Sequence, residues 1–166
     1  MEVYVSGLGA ICAAGTNVAE CLKSMRSGRS TLAPVRRFQT ALGFPVGEVC
    51  LSDEELKDAL GIDRQEVASR TGLLGLKAVD EALTDFTRRR GRADGLKELR
   101  CAFLSGTSVG GMDLSEVFWQ EHRDDLTGGD APDQPAQVRR TLTIQALYLQ
   151  ENLQSDGKPH WHCPSR

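Results

Sequence analysis

The sequence predicts an α/β protein with a layered sheet. Short apolar runs alternate with amphipathic helices through the first 122 residues, and glycine-rich loops follow two of these runs. Alternating strands and helices are typical of α/β folds, which place their ligands at strand ends. With 166 residues, 40% of them apolar and 26% charged, the chain has the composition of one globular domain or of a piece of a larger one.

Charge, termini and cysteines exclude several classes of protein. The 20 basic and 23 acidic residues give a net charge of −3, which disfavours nucleic acid or an anionic membrane as a partner. The N-terminus lacks the basic start and the apolar run of a signal peptide or membrane span, so we expect a cytoplasmic protein. Five cysteines without a C-x-x-C pair predict reduced thiols rather than a disulfide framework or a zinc ribbon.

Three apolar runs predict strands. Residues 3–6 and 101–105 are rich in β-favouring side chains, and each run leads into a glycine-rich loop. Residues 46–49 suit a shorter strand between the first two helices.

Capping patterns mark the first two predicted helices at both ends. Each begins with a polar residue followed three positions later by Glu, and each ends before a glycine that can adopt a left-handed conformation. These residues are Asn17, Glu20 and Gly28 for the first helix, and Ser52, Glu55 and Gly61 for the second.

The third predicted helix, residues 69–86, carries the longest amphipathic stripe. Its apolar residues recur at spacings of three and four, and they are Leu73, Leu76, Val79, Leu83 and Phe86. An arginine-rich loop, residues 88–100, is expected to follow. Its cations are interpreted either as a solvated helix end, where they complement the helix dipole, or as a docking patch for an acidic partner.

The chain changes character after His122. Residues 130–166 hold five of the eight Gln and four of the six Pro, without a glycine-punctuated βα pattern. We therefore divide the chain into a region 1–122 and a divergent tail 123–166, either frame-shifted or disordered. Within the tail, residues 141–144 alternate like a strand, whereas residues 142–153 also fit one helix face, and periodicity does not decide between them.

Two N-terminal features have competing interpretations. The loop Gly7-Leu8-Gly9-Ala10-Ile11-Cys12 suggests a dinucleotide-binding turn, but position 12 is neither Gly nor Ala, and no ribose-binding carboxylate follows at the usual distance. A tight structural turn is the favoured interpretation. Cys12 could be a nucleophile near a helix N-terminus, but with no histidine near it in sequence we favour a small buried filler, as for Cys21 and Cys101.

Soft and borderline metal ligands lie close together in His160-Trp161-His162-Cys163, near the C-terminus. This run supplies three ligands at most and is flanked by prolines, so we predict no specific metal site and no cofactor.

Several motifs together carry a family resemblance. The first strand and loop read Val5-Ser6-Gly7-Leu8-Gly9-Ala10, with Gly15 after them, and the first helix ends in Ser27-Gly28-Arg29-Ser30. Residues 45–49 follow, and the long third helix leads through a strand to Gly106-Thr107-Ser108-Val109-Gly110-Gly111. These motifs resemble the N-terminal half of the β-ketoacyl-acyl-carrier-protein synthases, over residues 3–122.

The resemblance implies a partial thiolase-like fold, the N-terminal half of a layered αβαβα architecture. It implies a homodimer in the intact family member, with acyl-carrier protein as its partner. The family's reaction is the decarboxylative condensation of malonyl-carrier protein with an acyl thioester, in fatty-acid or polyketide synthesis.

The resemblance transfers few site residues. The family's nucleophilic cysteine lies in a Thr-Ala-Cys segment that this sequence does not contain, and the surroundings of Cys163 do not match it. The two catalytic histidines belong to a second half, so no catalytic residue is assigned. The resemblance places Val109 in the lining of the acyl-chain pocket. It also places Arg64 and Arg70 where the family presents positive charge to the carrier protein.

Three hypotheses follow from the sequence. The first is an N-terminal fragment of a synthase whose reading frame was lost near residues 123–130, inactive by itself. The second is a non-catalytic, synthase-like subunit that binds a partner or acyl-carrier protein. The third, more remote, is a nucleotide-binding α/β domain.

Overall fold

The structure is a computed structural model that describes residues 2–41, 43–90, 103–107 and 110–122. These residues form four α-helices, namely α1 (Val18–Ser27), α2 (Asp53–Leu60), α3 (Arg70–Arg90) and α4 (Met112–His122). In the described part of the chain, no helix is long and apolar enough to cross a membrane.

The chain divides into two compact units. The first consists of Met1–Glu66 with Leu73–Ala93, and the second of Val67–Gly72 with Asp94–Arg166. The predicted tail, 123–166, lies outside the described residues, as do positions 101 and 102 of the third predicted strand.

Helix α1 has the predicted caps, with one difference. The Asn17 side chain accepts a hydrogen bond from the Glu20 N–H at 2.9 Å, and Gly28 ends the helix with φ 64°. The Glu20 carboxylate does not return to Asn17 and instead accepts from the N–H and the hydroxyl of Thr16, both at 2.8 Å. The expected capping box is therefore half formed, because Thr16 offers two donors to this carboxylate.

Helix α2 confirms its predicted boundaries. The Ser52 N–H donates to Glu55 at 2.7 Å and the Glu55 N–H donates to the Ser52 hydroxyl at 3.1 Å, so both bonds of the capping box are present. Gly61 follows with φ 67°, the left-handed geometry expected of a C-terminal glycine.

Helix α3 is longer than predicted. The expected loop from residue 88 is wrong for Arg88, Arg89 and Arg90, which continue the helix. Arg88 and Arg89 lie three and four residues after Asp85 and both bond to it, and such pairs extend a helix. At the other end, the Gly72 N–H donates to the Ser69 hydroxyl at 3.1 Å. The Arg70 N–H donates to the Asp113 carboxylate at 2.8 Å.

Helix α4 was not predicted. It starts directly after Gly111, which has φ 81°, and the Ser115 N–H and hydroxyl both donate to the Gly111 carbonyl oxygen. Its apolar and polar residues are not clearly separated onto two faces of the helix, so its amphipathic pattern is weaker than that of α3.

The predicted strands at 3–6 and 46–49 are not formed within the described ranges. There, β pairing is limited to two isolated bridges, Ala33 with Val46 and Cys12 with Gly15. Residues 103–105 are also irregular. A β-strand needs a neighbouring strand to pair with its backbone N–H and C=O groups. An apolar run in the sequence indicates burial, but it does not identify the strand that would pair with it. The layered sheet and the thiolase-like architecture therefore stay predictions.

Among the described residues, the buried apolar side chains lie in α1, α2 and α3. They are Cys21, Leu56, Leu60, Leu73, Leu76 and Phe86. Three of these belong to the predicted stripe of α3, whose other members Val79 and Leu83 are half-buried. The stripe is confirmed as the face of α3 that packs inward.

Two glycines bring the N-terminal loop against the backbone of α3. A methyl group on Gly7 would overlap the Ala82 carbonyl oxygen, and one on Gly9 would overlap the carbonyl of Ala78. Only a residue without Cβ fits this close approach, which accounts for both glycines by packing.

We expect Gly9→Ala to lower the free energy of unfolding by about 2 kcal/mol or more, because the added methyl group must push the loop away from α3. Gly75→Ala is the matched control, since Gly75 lies on α3 with nothing within 4 Å of an added Cβ. That change should stabilise the helix by about 0.5–1 kcal/mol. Urea titrations of both variants measure the difference, and equal stabilities would contradict the close packing.

Candidate functional site

The best-defined polar arrangement joins the glycine loop, residues 7–16, to α3. The Ala10 N–H donates to one carboxylate oxygen of Glu81 at 2.9 Å, and the Val18 N–H donates to the other at 2.9 Å. The Leu8 N–H donates to Asp85 at 3.3 Å. Glu81 therefore holds the loop and the first residue of α1 with one side chain.

This arrangement disfavours nucleotide binding. A phosphate-binding loop offers unpaired backbone N–H groups to an anion. Here two of those donors, on Leu8 and Ala10, are already bonded to the carboxylates of Asp85 and Glu81, which would repel a phosphate. The structural interpretation of this loop is the better supported one.

Asp85 is the centre of an ion cluster at the end of α3. Its carboxylate accepts from Arg88 at 2.7 Å and from Arg89 at 2.9 Å, in addition to the Leu8 N–H. The hydrogen bonds from Arg89 and Arg88 lower the pKa of Asp85 to about 2. Arg90 lies 5.0 Å from the centroid of the Phe86 ring. The arginines of the described helix end thus interact with α3 itself, which favours the solvated helix end over a docking patch.

Cys12 and Cys21 form a pair of thiols. Their sulfur atoms are 3.6 Å apart, with Cys12 exposed and Cys21 buried. The Ala14 N–H donates to the Cys12 sulfur at 3.4 Å and, with the Cys21 contact, lowers the pKa of the Cys12 thiol. Burial raises the pKa of Cys21. The prediction of a buried filler is confirmed for Cys21 and wrong for Cys12, while Cys101 lies outside the described residues.

The two arginines expected at a docking surface differ in setting. Arg64 is exposed and bonds through its guanidinium to both oxygens of Asp58, with Nε to Oδ1 at 2.9 Å. This pairing raises the pKa of Arg64 and lowers that of Asp58. Arg70 is half-buried at the first turn of α3 and belongs to the second unit.

Two further segments considered in the sequence analysis cannot be placed in the structure. Val109 and the run from His160 to Cys163 lie outside the described residues. Within the ranges that the structure describes, no three His, Cys, Asp or Glu side chains are grouped to hold a metal ion.

A concavity in the first unit was missed by sequence reasoning. It has a volume of about 880 Å³ and is lined by residues 34–41, 43 and 44. Glu48 shapes this loop by accepting the N–H groups of Arg36 at 2.9 Å and Arg37 at 3.2 Å. Phe38 and Phe44 are exposed on it. Its lining includes Arg36 and Arg37 beside these aromatic rings and so offers a surface for binding.

The contacts between the glycine loop and α3 are structural. The N–H groups of Leu8 and Ala10 in the glycine loop donate to carboxylates of α3, so these polar groups are engaged in holding the loop backbone.

The comparisons support a distant relation to the synthase family that the motifs resemble. The chain is 31% identical over 123 residues to nodulation protein E of Rhizobium meliloti (strain 1021), a β-ketoacyl synthase-like protein. The match covers 72% of this chain and 29% of that protein, so the chain spans under a third of the length of this relative. No protein-family model matches the chain, and no solved structure matches it.

We expect Glu81→Gln to destabilise the first unit by about 1–3 kcal/mol, because the neutral amide has one acceptor oxygen for two N–H donors. Glu66→Gln is the matched control on an exposed carboxylate. Chemical denaturation monitors both, and a Glu81→Gln variant as stable as the control would show that the carboxylate does not hold the loop.

Acid should also weaken the attachment of the glycine loop to α3, because Asp85 accepts the Leu8 N–H. Its folded pKa of about 2 lies below the value near 3.9 of an unfolded aspartate, so its contribution is present above pH 4. That contribution is lost as the pH falls from about 4 through 2. Chemical denaturation at a series of pH values between 7 and 2 should show this loss as a fall in the free energy of unfolding. In Asp85→Asn this part of the pH dependence should be absent. An unchanged acid slope in the variant would contradict the assignment.

Proposed function

We propose that this chain is a non-catalytic portion of a β-ketoacyl synthase-like protein. The observation that carries the proposal is the packing of Gly7 and Gly9 on α3, because it gives the family's V-x-G-x-G motif a role in the fold. The distant relation to nodulation protein E agrees with it. The intact parent would catalyse decarboxylative condensation of malonyl-carrier protein with an acyl thioester.

The chain by itself should not transfer acyl groups. Its sequence has no Thr-Ala-Cys segment, and the catalytic histidines of the family are unmatched. Cys12 is an exposed thiol, but its hydrogen bonds come from the Ala14 N–H and from Cys21. Neither group can act as the general base that such a nucleophile needs.

Apolar exposure supports the idea of an incomplete layered fold. Val3, Tyr4 and Val5 are 82%, 76% and 74% exposed, and Leu104 is 94% exposed. These residues belong to the segments predicted as strands, and apolar groups so placed are usually covered in a complete domain or at an interface. A partial thiolase-like fold would explain these exposed apolar side chains, because further layers or a homodimer partner would cover them.

The second candidate function is binding of acyl-carrier protein without chemistry. Arg64 is the observation that favours it, because its guanidinium is exposed and suited to an acidic surface. Asp58 competes for the same guanidinium, so the charge presented to a partner is partly offset.

An acyl-transfer experiment tests the proposal that the chain is non-catalytic. The full 166-residue chain is mixed with acyl-carrier protein bearing a radiolabelled acyl thioester, alongside a complete condensing enzyme as positive control. We expect no label on the chain, because the nucleophile segment is absent. Covalent label on any of its cysteines would overturn the non-catalytic proposal.

The same mixture tests docking through the binding affinity. If Arg64 meets the carrier protein, Arg64→Ala should weaken binding, and Asp58→Asn should tighten it by about two- to fivefold. Lys23→Ala is the control, since Lys23 is a basic residue on the exposed part of α1. Equal effects of Lys23→Ala and Arg64→Ala would attribute the binding to net charge and would contradict this docking site.

A further inference from the structure

We propose that Cys12 and Cys21 are a dithiol that a small disulfide compound, such as glutathione disulfide, oxidises to an intramolecular disulfide. The proposal is independent of the proposed function. It rests on the distance of 3.6 Å between the two sulfur atoms and on their unequal exposure.

The backbone already holds the two cysteines together. Cys12 lies in a tight turn, in which its N–H donates to the Gly15 carbonyl at 2.9 Å and the Gly15 N–H donates back at 3.1 Å. Cys21 lies in α1, and its thiol is 3.5 Å from the same Gly15 carbonyl oxygen. Forming a disulfide bond of about 2.05 Å therefore requires the sulfur atoms to approach by about 1.5 Å, which side-chain rotation can supply.

Glu81 fixes the segments on both sides of this turn. It holds the N–H of Ala10, before Cys12, and the N–H of Val18, before Cys21. The two thiols therefore meet in the folded chain without the ordering cost that a flexible loop would impose.

The surroundings assign different roles to the two thiols. Cys12 is exposed, and the hydrogen bond from the Ala14 N–H favours its thiolate, the form that attacks a disulfide. Cys21 is 5% exposed and is hindered from meeting an external disulfide. Burial, Cys12 and the carboxylates of Glu81 and Glu20 all raise its pKa. Cys12 is thus the attacking thiol and Cys21 the resolving thiol.

The reaction balances as two thiol–disulfide exchanges. The Cys12 thiolate attacks one sulfur of glutathione disulfide, the S–S bond breaks, and the departing glutathione thiolate takes a proton from water. Cys21 then loses its proton to solvent and attacks the Cys12 sulfur of the mixed disulfide, expelling the second glutathione. The two cysteines lose two electrons and two protons, and glutathione disulfide gains them as two thiols.

Peptide mapping tests the proposal on the full chain. Trypsin releases residues 1–23, which contain Cys12 and Cys21 and no other cysteine, because Lys23 is the first basic residue. After exposure to glutathione disulfide, we expect most of this peptide to lose two hydrogens and to resist alkylation. A second cleavage after Glu20 should leave two pieces that part only on reduction.

Cys50 and two variants supply the controls. Cys50 is exposed and should accumulate a mixed disulfide with glutathione in every sample. Cys21→Ser should accumulate the same adduct on Cys12, because the resolving thiol is gone, whereas Cys12→Ser should leave Cys21 largely unmodified. The proposal is overturned if glutathione remains on Cys12 of the unsubstituted chain as it does on Cys50, or if Cys12 pairs with a different cysteine.

Discussion

The carboxylate of Glu81 is the contact on which the arrangement of the first unit depends. It accepts the N–H of Ala10 with one oxygen and the N–H of Val18 with the other, so a single side chain of α3 positions both a loop and the start of a helix. Charge-assisted bonds to backbone donors are stronger than neutral ones. The tight turn at Cys12 lies between these two attachment points, and Cys21 follows the second of them by three residues within α1.

Local signals in the sequence predicted the positions of α1, α2 and α3 but not α4. The caps of α2, the glycine after α1 and the inward stripe of α3 each depend on residues a few positions apart, and all three appear in the structure. The strands at 3–6 and 46–49 depend on a distant neighbour that no local pattern identifies. The apolar composition of this segment predicts burial, yet the side chains of Val3 and Val5 are exposed and no sheet covers them within the described residues.

The candidate site was harder to foresee, for a similar reason. The Gly7 and Gly9 pattern suggested close approach, but whether to a phosphate or to a helix depends on what lies opposite. The structure puts Glu81 and Asp85 there, and these residues read in sequence as ordinary polar positions of an amphipathic helix. The contact between Cys12 and Cys21 joins a loop to a helix, so the spacing of the cysteines alone did not reveal it.

The contacts between the glycine loop and α3 repeat at a matching distance along both segments. Gly7 lies against Ala82 and Gly9 against Ala78, while the N–H groups of Leu8 and Ala10 donate to Asp85 and Glu81. Two residues of the loop therefore correspond to four residues of the helix, and the two segments run in opposite directions. Two residues of extended chain span about 6.6 Å and four helical residues rise about 6.0 Å, so the two repeats nearly coincide. The loop therefore has a register on α3, much as one strand has on another. Removing a single residue between Gly7 and Gly9 would turn a side chain toward the helix backbone and a glycine away from it. The length of this loop is thus as constrained as its composition.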